Sequence, residues 1–472
     1  MDLFSIPLKE EVPRYLCLAE GIGALILQGK LKPNEKLPPI RTLAKTYGVT
    51  NGTIVSAYRH LEQRKLVYSH VGSGTFVSPL PVEQQQMPLE TISFGTEEMA
   101  YPADAIRLDD TALPADLFPV EAFQEAFRQV LEKERGAAFR YTESMGYFPL
   151  RQSLCTYLSA FGIQTSPKQV QIISGAQQGV DIAAKAMISL GDVVFLETPT
   201  FYGAAGAFLS RGARLVEIPL EKDGMDLNML ENMLKLYHPK LLYMMGYFQT
   251  PTGISYSLEK KRRLLELAET YDFIILEEDD FYDFHYGKDP IVPLKAFDFR
   301  NRVIYIKSFS KVLMPGLRMG LMVVPPKLQE PLRQAKITTD IATSGFLQRA
   351  MALFLQEHGW EEHASNIRSY GGRQYRLAVK LAKKYLSPFC NIPLPQGGVC
   401  LWLPLPEEIS SKAFTARMLE KKVILTDGDR FFCDGRASGH VRLSFAAVDG
   451  DKLEVGIKRM ADVLELMLGG EK

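Results

Sequence analysis

The chain has 472 residues, of which 46% are hydrophobic and 23% charged, and its 55 basic and 55 acidic side chains cancel. This composition is typical of a globular protein with two or three domains, and the charge balance of the whole chain does not indicate a nucleic-acid partner. The five cysteines form no C-x-x-C pair, which argues against a disulfide framework or zinc site and favours a reducing compartment. The sequence contains neither a leader pattern nor an apolar run of about 18 residues. We therefore expect a cytoplasmic protein without a membrane span or a metal site.

The first eighty residues predict three helices and carry a small basic excess, with ten basic and six acidic side chains. Apolar side chains at helical spacing predict a helix over 15–26 and a shorter one over 40–47, which ends at Gly48. Thr50 can cap a third helix, whose apolar face lies within 54–61. The second and third helices have the proportions of a helix-turn-helix.

Two short strands follow these helices. Residues 66–68 and 75–77 are rich in β-branched and aromatic side chains, and they flank a connection that contains Gly72 and Gly74. This pattern predicts a glycine-tipped β-hairpin, or wing.

The N-terminal elements resemble the winged-helix domain of GntR-type transcription regulators. The residues that match the family pattern are Gly29, Leu31, Leu37-Pro38, Arg41, Leu43-Ala44, Gly48-Val49-Thr50, Ala57-Tyr58, Leu61 and Gly72-Ser73-Gly74-Thr75-Phe76-Val77. The resemblance implies binding to double-stranded DNA through the contact candidates Arg41, Thr50, Asn51, Thr53 and His70, with Lys45 and Arg64 as phosphate partners. Thr50-Asn51 stands where the family commonly has Ser-Arg, so a different operator is expected. The alternative is a helical subdomain without a role in DNA binding.

A polar segment separates this domain from the rest of the chain. Residues 79–107 are interrupted by prolines and lack a periodic apolar face, which predicts a linker. The predicted organisation is a winged helix-turn-helix domain over 1–78, the linker over 79–107 and a larger domain over 108–472.

The larger domain alternates short β-branched runs with amphipathic helices. The predicted strands are 171–173, 193–196, 241–245, 273–276, 303–306 and 321–324. Such alternation predicts an α/β fold with a mostly parallel sheet, and ligands are expected at the carboxyl ends of its strands.

The most informative segment follows the strand at 303–306. It reads Ser308-Phe309-Ser310-Lys311-Val312-Leu313-Met314-Pro315-Gly316-Leu317-Arg318. A lysine that bonds an aldehyde cofactor needs a rigid mount and surroundings that favour loss of its proton. A phosphate monoester needs hydroxyl donors and an arginine near the same place. A basic surface turn would explain Lys311 or Arg318 alone, but not the whole string.

This string resembles the lysine motif of fold-type I aminotransferases, which bind pyridoxal 5′-phosphate (PLP). The resemblance implies that Lys311 bonds the cofactor, with Ser308, Ser310 and Arg318 near its phosphate. Further matching positions are Asp279 for the pyridine nitrogen, Tyr282 for the phenolic oxygen, Ala176 and Gln177 for the phosphate, Phe201 for stacking on the ring, and Tyr141 for the phosphate of a neighbouring subunit. The last of these implies a homodimer. An acidic loop that binds a divalent ion is the alternative for the segment around Asp279.

Two further positions concern the ligand. Arg442 lies between apolar neighbours on a predicted strand, which is an unfavourable place for a charge without an anionic partner. We interpret it as a carboxylate clamp, with an internal salt bridge as the alternative. Thr250 stands where aminotransferases typically have an asparagine that bonds the phenolic oxygen, so full transamination chemistry is in doubt.

The combination resembles the MocR subfamily, in which a GntR-type domain precedes an aminotransferase-like domain. It implies a PLP-dependent transcription regulator that senses an amino acid or related amine by aldimine exchange at Lys311. Because Thr250 replaces the usual asparagine, we expect turnover far below that of ordinary aminotransferases. Two alternatives remain open: an active aminotransferase with an accessory N-terminal domain, and a DNA-binding protein with a purely structural cofactor.

Overall fold

The computed structural model describes residues 13–27, 30–70, 73–78, 101–102, 104–288, 290–357 and 359–469. The chain divides into two compact units, one of residues 1–83 with 231–237 and one of residues 84–230 with 238–472. Among the described residues, no helix combines the length and hydropathy needed to cross a bilayer.

The N-terminal unit has the predicted three helices and hairpin. Its elements are α1 (Arg14–Leu27), α2 (Ile40–Tyr47), α3 (Asn51–Gln63), β1 (Val67–His70) and β2 (Gly74–Val77). Gly48 ends α2 with a φ of 60°, a left-handed conformation that glycine adopts without strain. Thr50 caps α3, because its hydroxyl oxygen accepts a hydrogen bond from the Thr53 N–H at 3.2 Å.

The hairpin and the helices share one apolar core. β1 and β2 pair antiparallel, with Val67 opposite Val77 and His70 opposite Gly74. The fully buried side chains of Leu18, Ile22 and Ile54 belong to the cluster that joins these elements. Residues 71 and 72 of the predicted wing tip lie outside the described residues.

The larger unit is built on an eight-stranded sheet. Before it, β3 (Ile106–Arg107) pairs with a strand near the C-terminus. The sheet strands are β4 (Val170–Ile173), β5 (Val193–Thr198), β6 (Arg214–Glu221), β7 (Gly224–Met225), β8 (Pro239–Met244), β9 (Ile274–Asp279), β10 (Val303–Ser308) and β11 (Gly320–Val323). All six predicted strands are present, in the order β4-β11-β10-β9-β8-β5-β6-β7. The central pairs from β6 to β10 are parallel, whereas the pairs of β11 and β7 are antiparallel.

The remaining elements are helices and a small C-terminal sheet. The helices are α4 (Val120–Glu134), α5 (Phe148–Ser159), α6 (Ala176–Met187), α7 (Tyr202–Leu209), α8 (Leu227–Leu236), α9 (Leu258–Thr270), α10 (Gln329–Asp340), α11 (Gly345–Gln356), α12 (Gly359–Leu386), α13 (Ser411–Glu420) and α14 (Gly450–Gly469). The later strands are β12 (Cys400–Pro404), β13 (Val423–Ile424), β14 (Thr426–Asp427) and β15 (His440–Ser444). β15 lies between β12 and β14 in an antiparallel sheet, and β13 pairs with β3.

The pairing of β3 changes one predicted boundary. The sequence assigned Ile106 and Arg107 to the end of the linker, but they pair with Val423 and Ile424 of the larger unit. A two-residue strand is too short to produce a periodic pattern, which explains why the sequence did not reveal it. Residues 79–100 and 103 of the predicted linker lie outside the described residues.

Candidate functional site

The segment after β10 presents Lys311 at the carboxyl end of the sheet. All six residues of β10 are buried, and the Ser308 hydroxyl oxygen accepts a hydrogen bond from the Ser310 N–H at 3.1 Å. The turn that follows brings the Lys311 Nζ within 2.6 Å of the Thr111 hydroxyl oxygen, to which it donates. Burial lowers the pKa of Lys311, and the positive charge of Arg442 acts in the same direction. This environment favours the neutral amine, which is the nucleophilic form.

Arg442 lies on the same side of the site, on the central strand of the C-terminal sheet. Its Nη2 donates to the Asp109 carbonyl oxygen at 3.1 Å and to the Thr426 hydroxyl oxygen at 3.0 Å. The segment from Asp109 to Thr111 therefore contacts both Arg442 and Lys311. Both acceptors are neutral, and the buried Arg442 Nε has no hydrogen-bond partner among the described residues. The guanidinium thus keeps the capacity to bind an anion.

Arg318, Ser310 and the start of α6 lie together and form a candidate anion site. The Arg318 Nη1 lies 3.3 Å from the Ser310 Oγ, and its Nη2 donates to the Ser174 carbonyl oxygen at 2.6 Å. Gly175 has a φ of 95°, and a Cβ there would lie 2.7 Å from Arg318 Nη2. α6 begins at Ala176, and no side chain among the described residues caps it. Its first N–H groups and the guanidinium can therefore bind one phosphate.

Gln177 and Phe201 lie beside this anion site. Gln177 Nε2 donates to the Gly203 carbonyl oxygen at 2.9 Å, which links α6 to the start of α7. A Cβ at Gly203 would lie 2.6 Å from the Phe201 ring, so the ring packs closely on that backbone. The structure thus brings the predicted phosphate and stacking residues to one edge of the sheet.

Asp279 is fully hydrogen-bonded by the protein. Its register partner on β10 is Lys307, so both side chains lie on the same face of the sheet. Its Oδ2 accepts from the Tyr305 hydroxyl at 2.5 Å and from the Lys307 ammonium at 3.1 Å. Its Oδ1 accepts from the N–H groups of Phe281 and Tyr282 at 3.1 and 3.0 Å. The predicted role of Asp279 towards a pyridine nitrogen stays a prediction.

Asp280 is the carboxylate that attracts the Lys311 ammonium most strongly, ahead of Asp110. Burial raises the pKa of Asp280 to about 6, and the attraction of the Lys311 ammonium opposes that rise. Its Oδ1 is buried and has no hydrogen-bond partner among the described residues. Because a buried carboxylate oxygen without a donor is unfavourable, Asp280 is a second candidate for contact with a bound cationic group.

Lys307 is the centre of a separate charged cluster. Its fully buried ammonium lies 3.1 Å from the Asp279 carboxylate and 3.3 Å from that of Asp283. Burial lowers the pKa of Lys307, but the two carboxylates outweigh that effect and the net shift is upward. Tyr282 belongs to this cluster, because its ring centroid lies 4.0 Å from that of Phe161 and 5.8 Å from the Lys307 ammonium.

Two other predicted residues lie apart from these contacts. Thr250 is buried, and its N–H donates to the Met245 Sδ at 3.4 Å. Tyr141 is 88% exposed on a single chain. Their predicted roles at the phenolic oxygen and at a neighbouring subunit's phosphate remain predictions.

Sequence reasoning missed Thr111, Asp280 and Lys307. The first lies in a segment without a motif, and its approach to Lys311 depends on tertiary structure. The sequence did contain a signal for Lys307. This lysine directly follows the apolar strand 303–306, and the acidic residues 277–280 directly follow another predicted strand of the same sheet. Buried acids next to a buried lysine indicate an ion pair.

In the N-terminal unit, most of the DNA-contact candidates are exposed. Arg41 and Lys45 lie on α2, Asn51 begins α3, and Arg64 follows it, all with exposed side chains. Thr50 has a structural role as the cap of α3 in addition to its predicted one. Thr53 and His70 are half-buried, the latter at the end of β1.

Two family models match the chain. Residues 103–460 match the aminotransferase class I and II family, and residues 14–77 match the gntR family of bacterial regulatory proteins.

Individual relatives match one or both units. An aromatic-amino-acid aminotransferase of Thermococcus litoralis is 32% identical over 75% of this chain and 86% of its own. The probable rhizopine catabolism regulatory protein MocR of Rhizobium meliloti is 28% identical over 95% of this chain and 93% of its own. The α-aminoadipate aminotransferase LysN of Thermus thermophilus, solved with N-(5′-phosphopyridoxyl)-L-leucine, has a TM-score of 0.72 and 29% identity, covering 77% of this chain and 93% of LysN. The aminotransferase matches cover the larger unit, whereas the MocR match runs through both.

The residues of the site fit PLP, the cofactor on which aminotransferases of this family depend. Arg318, Ser310 and the start of α6 would hold the phosphate, and a Cβ at Gly175 would collide with the Arg318 guanidinium. Lys311 supplies a partly buried amine with a lowered pKa. Asp280 supplies a buried carboxylate oxygen without a donor.

Proposed function

The chain belongs to the aminotransferase class I and II family and carries a gntR-family DNA-binding domain, and we propose that it is a transcription regulator that senses a primary amine. The observation that carries this proposal is the common environment of Lys311 and Arg442. An amine suited to bond an aldehyde and a guanidinium suited to hold a carboxylate contact the same short segment, Asp109 to Thr111. That combination matches the two functional groups of an amino acid.

The bound cofactor supplies an aldehyde carbon that bonds reversibly to primary amines. An effector amine would compete with Lys311 for that carbon and release the lysine as a free amine, and Arg442 would hold the effector's carboxylate. The released Lys311 would be free to donate to Thr111 and to interact with Asp280, as its free amine does in this structure. These are local changes at a segment that also contacts Arg442, so they provide a route from ligand exchange to rearrangement of the larger unit.

The proposed output is a change in DNA affinity. The effector must bind two states of the protein with different affinities. The difference between its two binding free energies sets the upper limit on how far it can change DNA affinity. We propose that the regulator acts as a cytoplasmic homodimer, with Tyr141 of each chain reaching the phosphate of the other. The exposed side chains of Arg41, Lys45 and Arg64 support the DNA-contact role.

The decisive experiment is footprinting of the DNA upstream of the protein's own gene, with and without a panel of amino acids. We expect one amino acid to change both the visible spectrum of the holoprotein and the footprint. Arg41→Ala should weaken binding by about 1–3 kcal/mol. Arg128→Ala, an exposed arginine on α4, is the matched control and should not. An isolated larger unit that shifts the DNA equally well would overturn the proposal.

The second candidate function is aminotransferase activity, which the 32% identity to the Thermococcus enzyme favours. Thr250 distinguishes the two candidates, because its short side chain replaces the asparagine typical of the enzymes. We expect an amino acid to change the spectrum while keto-acid production stays far below that of an ordinary aminotransferase. Rapid conversion followed by multiple turnovers would favour the enzyme. A protein whose spectrum no amino acid alters would favour a purely structural cofactor.

Thr250→Asn tests the reason for low turnover. If the threonine limits the chemistry, this substitution should raise the rate of keto-acid formation. An unchanged rate would mean that another side chain already contacts the oxygen that asparagine bonds in the enzymes.

A further inference from the structure

Arg430 is a second arginine with unused hydrogen-bonding capacity. It lies in the short 3₁₀ turn Gly428–Phe431, between β14 and β15. Its guanidinium carbon lies 4.8 Å from the centroid of the Tyr202 ring. Its Nη2 is buried and has no hydrogen-bond partner among the described residues. A buried donor without an acceptor is unfavourable unless a ligand or water completes it.

Arg430 and Arg442 lie against one pair of aromatic rings. The Arg442 guanidinium carbon is 5.3 Å from the Phe431 ring centroid, and the centroids of Phe431 and Tyr202 are 5.7 Å apart. The N–H of Thr200 donates to the Phe431 carbonyl oxygen at 2.8 Å, which fixes this turn to the segment that leads to α7. The two rings thus form one aromatic wall with a guanidinium against each ring.

Neither guanidinium is neutralised by a carboxylate in the described part of the chain. The nearby acids have other partners: Asp427 and Asp429 both accept from the Ser411 hydroxyl, and Asp429 also accepts from the Ser438 N–H. Arg436 provides the contrast, since it lies in the same region and pairs with a buried glutamate at 2.7 Å. Arg436 therefore pairs with a carboxylate, whereas Arg430 has no carboxylate partner among the described residues.

Two positive groups on one wall, each with an unpaired buried donor, are suited to a ligand with two acidic groups. Binding would supply an acceptor to both donors, and each new hydrogen bond would be charge-assisted. Arg442 and Lys311 contact the same short segment, Asp109 to Thr111, so Arg442 is the arginine beside the reacting amine. The α-carboxylate therefore belongs to Arg442 and the distal acid to Arg430.

We propose that the effector is an acidic amino acid, whose α-carboxylate binds Arg442 and whose side-chain carboxylate binds Arg430. This inference rests on the proposed function, because it names the class of amine that the site senses. The aromatic wall between the two guanidiniums accommodates the methylene groups that separate the acids. A neutral amino acid of the same length would leave Arg430 without its acceptor.

The test compares matched pairs of amino acids on the holoprotein. L-Aspartate is compared with L-asparagine, L-glutamate with L-glutamine, and L-2-aminoadipate with L-norleucine, using the visible absorbance of the cofactor to measure affinity. We expect at least one acidic member to bind about tenfold or more tightly than its neutral partner. Arg430→Gln should remove that preference, and Arg430→Lys should restore part of it. Arg417→Gln, an exposed arginine on α13, should retain the full preference.

The outcomes separate this inference from the proposed function. If neutral and acidic amino acids bind equally and still change DNA binding, the proposed function as an amine-sensing regulator is supported and the acidic-effector inference is wrong. If no amino acid changes the spectrum, calorimetry with adipate and hexanoate tests the two-arginine site without amine chemistry. Binding of adipate that is lost in Arg430→Gln supports the site, and equal or absent binding of the two acids overturns it.

Discussion

Lys307 and Lys311 lie on the same segment, four residues apart, and each interacts with an aspartate that follows or ends β9. Their environments differ in the number of carboxylates with which each ammonium group forms an ion pair. Lys307 is fully buried between Asp279 and Asp283, so its charge is neutralised within the fold. Lys311 is only partly buried, donates to a neutral hydroxyl and has a lowered pKa. The comparison shows how one segment places a lysine in a buried ion pair and, four residues later, a lysine with a lowered pKa.

The largest expected effect is that of Lys311→Ala on covalent attachment of the cofactor. Because this amine combines a lowered pKa with an adjacent phosphate site, its removal should abolish borohydride-dependent attachment of PLP. Mass spectrometry of the reduced protein measures this directly. Lys327→Ala, an exposed lysine of the same unit, should retain full labelling. A label located on Lys307 itself would contradict the distinction between the two lysines.

Next in size is the effect of Lys307→Met on stability. The substitution leaves two carboxylates in the interior without their cation, and breaking a buried pair in this way costs about 3–5 kcal/mol. Urea unfolding, followed by a spectroscopic signal of the larger unit, should show this loss of unfolding free energy. Lys327→Met should change the unfolding free energy little. The triple variant with Asp279→Asn and Asp283→Asn should recover part of the stability. A single variant as stable as the parent would show that Lys307 carries no structural ion pair.

Replacing each aspartate separately sharpens the comparison further. Asp280→Asn removes the carboxylate that interacts with Lys311, so we expect a change in the cofactor's visible absorbance with a small change in unfolding free energy. Asp279→Asn disrupts the hydrogen bonds from Tyr305 and Lys307, so we expect the larger loss of stability. The sequence motif predicts that Asp279 dominates the spectrum as well. If Asp279→Asn shifts the absorbance and Asp280→Asn does not, Asp279 interacts with the cofactor, as the sequence motif predicts, and Asp280 does not.

The sequence predicted the backbone better than it predicted the charges. The helix-turn-helix, the hairpin and all six strands follow from periodicity, capping residues and glycines, which are local signals. The string from Ser308 to Arg318 likewise predicted a phosphate site, because its members lie close together in the chain. The contacts of Thr111 with Lys311 and of Arg430 with Tyr202 join distant segments. Only the folded chain specifies which buried charge meets which partner.

The smallest expected effect concerns pH and Asp280. Burial raises the pKa of Asp280 to about 6, above its value in an unfolded chain, so the folded protein holds a proton that the unfolded chain releases near pH 4. This contribution to stability is therefore fully present below about pH 4 and is lost as the pH rises to about 6. Asp280→Asn cannot titrate, and its melting temperature should fall less over that interval, by roughly 2–4 °C. Differential scanning fluorimetry of the parent and the variant between about pH 4 and 7 measures the difference.

The control for this prediction must leave the Lys307 pair intact. Asp283→Asn is unsuitable because it alters that pair. The control is Asp116→Asn, which removes a carboxyl from the 3₁₀ turn before α4. Parallel curves for the parent and Asp280→Asn would mean that Lys311 keeps Asp280 ionised in the folded protein. The two lysines would then both be ion-paired, and the difference between them would lie in access alone.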